Sequence, residues 1–152
     1  LPDYNQQQTD SFWSNCQQLT EEFLTINKIP LEQLSPVALA YIGDAVYELY
    51  IRSKLLIPPR KIANYHNLVV TQVRAETQAV YLQTLEPYLT FEEKEILRRG
   101  RNAVTNKPRR LSIKIYQQAS SLETLIGYLY LTNCDRLKDL LSKLNITSSV
   151  DG

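Results

Sequence analysis

PVALAYIGDAVYELYI, residues 36–51, carries only two charged side chains, Asp44 and Glu48, in sixteen positions. Ser35 just before it supplies a hydroxyl for the first unpaired amides, and Pro36 suits the first helical position, so the stretch reads as the opening of a helix. The helix can run to about Leu56, where Pro58-Pro59 stops it, a length on the order of 30 Å. Apolar on nearly every side, it is expected to be the buried central helix.

A second stretch of the same kind, IYQQASSLETLIGYLYLTNC at 115–134, contains one charged residue, Glu123. A carboxylate without a partner in apolar surroundings protonates or destabilises the fold, and no basic residue lies within either stretch. The compensation is a hydrogen-bond cage or a hard divalent cation, which takes oxygen ligands. At 100° per residue Asp44 and Glu48 share a face with Val37, Ala40, Tyr41, Tyr47 and Ile51, so Asp44 is expected to be buried beside tyrosines. Each acid also has a glycine close by, Gly43 and Gly127, in helix interior, where glycine costs roughly 1 kcal/mol relative to alanine. If the helices cross at these glycines, Asp44 and Glu123 meet and can share one Mg²⁺. The competing reading has each acid hydrogen-bonded to tyrosine hydroxyls in the core. Glu48 is a weaker candidate, because Arg52 four residues on offers an ordinary helical ion pair.

Working outward, the remaining pattern is helical and the fold class is all-α. Residues 1–10 are polar and expected to be loose, and Thr20 reads as the N-cap of a short helix ending before Pro30. Further helices fit 61–72 and 74–86. The segment TFEE at 90–93 is a capping box opening a helix that closes at Gly100. Residues 101–111 read as an exposed basic loop, helices follow at 113–132 and 135–144, and the end is frayed. The domain division is an N-terminal extension at 1–30, a catalytic domain at 31–144 and a tail at 145–152.

At 152 residues with 43% apolar content, the chain is long enough for one domain with a real core. No apolar run approaches a membrane span and the start lacks the features of a signal peptide; without an initiator Met, the start is expected to be trimmed. Cys16 and Cys134 stand apart and are read as thiols of an intracellular protein. The lone His66 argues against a zinc site or a histidine triad. Seven of the 17 basic residues and none of the 16 acidic ones fall between Ile96 and Leu122: Arg98, Arg99, Arg101, Lys107, Arg109, Arg110 and Lys114. Most such runs are solvated surface; this one lies between the two acid-bearing helices. Duplex RNA, read through phosphates and 2′-hydroxyls, suits it, and Asn102 and Asn106 would add hydrogen bonds or simply form turns.

Three segments, ALAYIGDAVYELYIR at 38–52, LRRGRNA at 97–103 and LETLIGYLYL at 122–131, together resemble the ribonuclease III catalytic domain. The likeness is strongest to the short form, Mini-ribonuclease III, which lacks a separate double-stranded-RNA-binding domain; too few residues follow 144 to build one. The resemblance implies a homodimeric, Mg²⁺-dependent endonuclease, with Mn²⁺ a possible substitute, that cuts double-stranded RNA to leave 5′-phosphate ends. Asp44 and Glu123 match the family's metal-binding acids. The positions of two further acids of the longer members are Ala40 and Ser120 here, and the short form likewise has non-acidic residues there; Gln117 stands where that form often has arginine. The substrate the resemblance implies is precursor 23S ribosomal RNA, alone or carrying a ribosomal protein, in the cytoplasm or a plastid stroma, with no membrane partner. The alternative is a catalytically silent, ribosome-associated RNA-binding dimer.

Overall fold

A computed structural model of the chain describes residues 4–146, with side chains from residue 13 onward. Seven α-helices follow one another: α1 Tyr4–Ile26, α2 Pro36–Leu55, α3 Ile62–Val73, α4 Ala75–Leu85, α5 Phe91–Asn102, α6 Ile113–Thr132 and α7 Cys134–Ser142, with 3-10 turns at Leu31–Gln33 and Glu86–Tyr88. No strand occurs among the described residues, so the all-α expectation holds. Residues 147–152 of the expected tail lie outside the described residues.

The caps form as their sequences require. The Ser35 hydroxyl accepts from the Ala38 amide at 3.1 Å, and Ser112 does the same for Ile115 at 3.2 Å. Thr90 and Glu93 close their capping box in both directions, at 3.2 and 3.0 Å. Satisfying these first amides fixes where α2, α5 and α6 begin.

Three expectations are corrected. The central helix is α6, packed against α1, α2, α4, α5 and α7; α2 buries Leu39, Val46, Tyr47, Ile51 and Leu55 but leaves Val37 and Tyr41 61% and 84% exposed. Hydropathy alone does not distinguish an apolar face that the chain covers from one it leaves open. The N-terminal helix is long rather than short, and Thr20 lies inside it, bonding to the Cys16 carbonyl and sharing a hydrogen bond with the Tyr130 hydroxyl. What anchors α1 is Trp13, edge-on to Tyr130 in the core. Finally, α5 does not close at Gly100. It continues through Arg101 and Asn102, because Gly100 serves contact: a Cβ there would lie 2.5 Å from Thr124 Oγ1 and 3.1 Å from Ser121 Cα on α6.

A buried ion pair ties the start of α5 to α7. The Arg136 guanidinium donates through Nε and Nη2 to the two Glu93 oxygens at 2.7 and 3.1 Å, and through Nη2 to the Tyr88 carbonyl at 2.7 Å. These bonds, Arg136 foremost, hold the Glu93 carboxyl below its ordinary value of 4.5. Glu93 is 6% exposed, and stripping a buried charge of its partner costs about 3–5 kcal/mol. Arg136→Met is therefore expected to lower the urea midpoint by a corresponding amount. Because the folded-state pKa is depressed, this contribution is complete above the unfolded value and disappears as pH falls through the folded one. Acid titration of stability below about pH 4.5 checks it, and the slope should be shallower in Arg136→Met.

Candidate active site

The site begins with a close crossing of α2 and α6. A Cβ on Gly43 would penetrate the Glu123 carbonyl oxygen and lie 2.8 Å from the Gly127 amide nitrogen; one on Gly127 would penetrate the Leu39 carbonyl. Glycine's usual helix penalty is accepted here so that two backbones can touch. Asp44 follows Gly43, and the backbone of Glu123 is what Gly43 touches, so the crossing brings both acids to one cavity of about 290 Å³. Ala40 and Ser120 line the same cavity, as do the hydroxyl-bearing Thr124 and Tyr116. Among the described residues no group of three or more metal-capable side chains forms.

Asp44 is exposed, which corrects the expectation of burial. The uncovered face of α2 that holds Val37 and Tyr41 holds Asp44 as well. Partial desolvation, and then the charge of Glu48, push its carboxyl up. Glu123 sits deeper. Burial first, and the Asp44 charge second, push its pKa up to about 7, while a hydrogen bond from Gln78 pulls the other way. Among the described residues no tyrosine hydroxyl hydrogen-bonds either acid. Those of Tyr47 and Tyr50 donate to the carbonyls of Gln72 and Leu141, at 2.6 and 3.4 Å, and that of Tyr81 donates to Gln72 Oε1. Glu48 is ion-paired with Arg52 and stays outside the cavity lining.

The basic residues divide into two groups. Arg98 is held by Glu95 through Nε at 3.0–3.1 Å, and Arg110 reaches Glu76 on α4 at 3.2 Å. Arg99, Arg101, Lys107, Arg109 and Lys114 are exposed and belong to no ion pair among the described residues. Arg101 and Asn102 are helical rather than part of a loop. The next four residues, Ala103 to Asn106, form one wall of the acid cavity, so the basic segment and the carboxylates share an edge. Sequence reasoning missed Gln78, which is 2% exposed beside Glu123. Its signal was a lone amide at 78 on the apolar stripe of α4 that Leu82 and Leu85 continue. His66 is exposed on α3.

Known proteins resemble the chain in sequence and in fold. The Ribonuclease III domain family matches residues 37–134, a span from the start of α2 to the end of α6. The chain is 57% identical over 116 residues to the Mini-ribonuclease 3 of a Synechocystis species, covering 76% of this chain and 81% of that protein. It is 38% identical over 131 residues to the Mini-ribonuclease 3 of Clostridium tetani, covering 84% and 85%. A solved structure of a Fusobacterium nucleatum protein superimposes with a TM-score of 0.69 at 29% identity, covering 74% of this chain and 93% of that one. The helix pair that crosses at Gly43 and Gly127 thus lies within a known catalytic domain, and the chain belongs to the ribonuclease III family, in its Mini-ribonuclease 3 branch, as an endoribonuclease.

Proposed function

We propose that the chain hydrolyses double-stranded RNA with Asp44 and Glu123 as the ligands of a Mg²⁺ ion that Mn²⁺ can replace. The observation that carries this reading is the pair of carboxylates brought to one cavity by the Gly43–Gly127 crossing. Their donor set fits: Mg²⁺ keeps several waters and takes one or two carboxylates together with substrate phosphate oxygens. A half-buried carboxyl whose proton affinity is raised by a neighbouring acid, as that of Glu123 is by Asp44, is also stabilised in its charged form by a cation near neutral pH. When bound, the ion supplies positive charge to the scissile phosphate and acidifies water. The chain's own part is to hold the ion on two rigid helices, and to offer the Ser120 and Tyr116 hydroxyls and Asn106 along the cavity wall to orient the phosphate and its water. Arg99, Arg101, Lys107, Arg109 and Lys114 bind backbone phosphates beside it, while Arg98 and Arg110 contribute charge from within their ion pairs.

The open α2 face, with Val37, Tyr41 and a 42%-exposed Leu49, supports assembly as a homodimer that offers two such sites to the two strands. Precursor 23S ribosomal RNA is the substrate that the family resemblance favours, and the cytoplasm the compartment. Among the described residues no helix is long and apolar enough to cross a membrane.

The test is cleavage of a plain RNA duplex in Mg²⁺, in Mn²⁺ and in EDTA. Staggered products with 5′-phosphates, formed only with metal, are expected; tight duplex binding without cleavage in either metal would instead favour the catalytically silent dimer. In a separate salt titration, Arg99→Gln combined with Arg101→Gln is expected to weaken duplex binding and flatten the slope of log K against log salt by somewhat under one per lost contact. An unchanged slope would remove these arginines from the interface.

A further inference from the structure

Arg110 belongs to the basic segment by sequence, yet it is tied to a distant part of the molecule. Its Nη1 donates to Glu76 Oε1 at 3.2 Å, from a position 34 residues away in the chain. Arg98 is held differently: it meets Glu95, three residues before it on the same helix, through Nε and Nη2 together. That local pair occupies most of its fork. Arg110 is held at one nitrogen and its side chain is 70% exposed, which leaves the other N–H groups of the guanidinium open to solvent.

Glu76 is seated for that single contact. It lies in the first turn of α4, where the unpaired amides of a helix start favour an acid. Its Oε2 is buried and accepts no hydrogen bond among the described residues. An oxygen kept from water without a donor is unfavourable, so the carboxylate is held by its surroundings on one side and by the arginine on the other. The loop that carries Arg110 has few ties of its own. From Thr105 to Leu111 its backbone makes one turn bond among the described residues, from the Leu111 amide to the Pro108 carbonyl at 3.2 Å, and Leu111 is buried at the loop's end. The Arg110–Glu76 pair is the side-chain hydrogen bond that joins this loop to another element, and the same loop supplies Thr105 and Asn106 to the cavity wall.

We infer that Glu76 is a positioning residue: by holding Arg110 at one corner it fixes the basic loop on α4 and presents the rest of the guanidinium to a phosphate of the RNA duplex. This rests on the reading that the basic segment binds duplex RNA. The planar fork can pair with a carboxylate and a phosphate at once through different nitrogens, so the acid need not leave for the RNA to arrive. Neutralising an acid beside the site of a polyanion tightens binding if charge alone matters. Removing an acid that orients an arginine weakens it.

The experiment compares the full native chain with Glu76→Gln, Arg110→Gln and the double variant, each checked for folding by circular dichroism. Hydrogen exchange of the loop amides between Val104 and Leu111 is read without RNA, and binding of a plain RNA duplex is read in EDTA. Both single variants are expected to speed exchange in the loop. Glu76→Gln is expected to weaken duplex binding roughly two- to fivefold, the worth of one exposed ion pair, although it makes the chain more positive. The same substitution made on top of Arg110→Gln should weaken binding no further. Tighter or unchanged binding in Glu76→Gln overturns the inference, as does a weakening that persists without Arg110. Should Glu76→Gln not fold, Arg110→Gln decides, because it leaves α4 intact, and unaltered loop exchange there overturns the inference. A native chain that does not bind the duplex overturns the RNA reading itself, while exchange in the loop still shows whether the pair fixes it.

Discussion

Gly43→Ala is expected to destabilise the fold by at least about 3 kcal/mol, the upper end of ordinary overpacking, and to abolish cleavage with it. The added methyl would enter the carbonyl oxygen of Glu123. Because that obstacle is backbone, no rotamer change relieves it; α2 and α6 must separate, and the packing between the two helices is lost with them. A domain of this size has only about 5–15 kcal/mol in total, so one methyl removes a large share. Gly127→Ala, which meets the Leu39 carbonyl, belongs to the same class. Gly100→Ala should be milder, because its nearest obstacles include the Thr124 side chain. Urea midpoints for the three variants check the order, and equal midpoints for Gly43→Ala and Gly100→Ala would show that α2 and α6 yield more readily than their contact implies.

Asp44→Asn and Glu123→Gln are each expected to lower single-turnover duplex cleavage by on the order of 10³-fold, the scale on which an active site loses a principal electrostatic element. The two differ in what they do to the protein without metal. The Glu123 carboxyl titrates near 7 in the fold against an ordinary 4.5. A raised carboxyl pKa means that stability is complete below the unfolded value and lost as pH climbs through the folded one. Above about pH 7 the charged form therefore weakens the metal-free fold by roughly 3 kcal/mol, at 1.36 kcal/mol per unit. Glu123→Gln removes that charge, so at pH 8 in EDTA it should melt higher than the native chain while failing to cut RNA. Asp44→Asn, open to solvent, should show much less of this gain. Thermal melts at pH 5 and pH 8 decide the matter: a Glu123→Gln melting point that does not rise relative to native between the two would contradict the burial of that charge.

Much of the helix plan is legible in the residues. Ser35-Pro36, the Thr90–Glu93 box and Ser112 are local signals, and local signals survive folding. The glycine pair was equally legible, because glycine in an apolar helix has few reasons to be there except close approach. Coverage was not legible. Whether an apolar face such as Val37–Tyr41 meets another helix of the same chain depends on packing across long sequence separations, so the exposure of Asp44 and the central place of α6 emerge only in three dimensions. Length at the N-terminus fails for a related reason. The residues of α1 before Trp13 show no apolar stripe, and the helix is held by distant contacts, among them those of Trp13 and Thr20 with Tyr130. Gln78 was passed over because a single polar residue on an apolar stripe is ordinarily noise.

The backbone segments that carry Asp44 and Glu123 are the same segments that meet main chain to main chain at Gly43 and Gly127. The spacing of the two acids is therefore fixed by main chain rather than by the neighbouring side chains, and it is insulated from change elsewhere. Sequence drift in α1, α3 or α7 can soften or stiffen the protein while leaving the cutting geometry as it was. Selection for folding and selection for catalysis thus fall on one short pair of segments. A designer could renew the outer helices freely, provided those two segments were carried across together as one part.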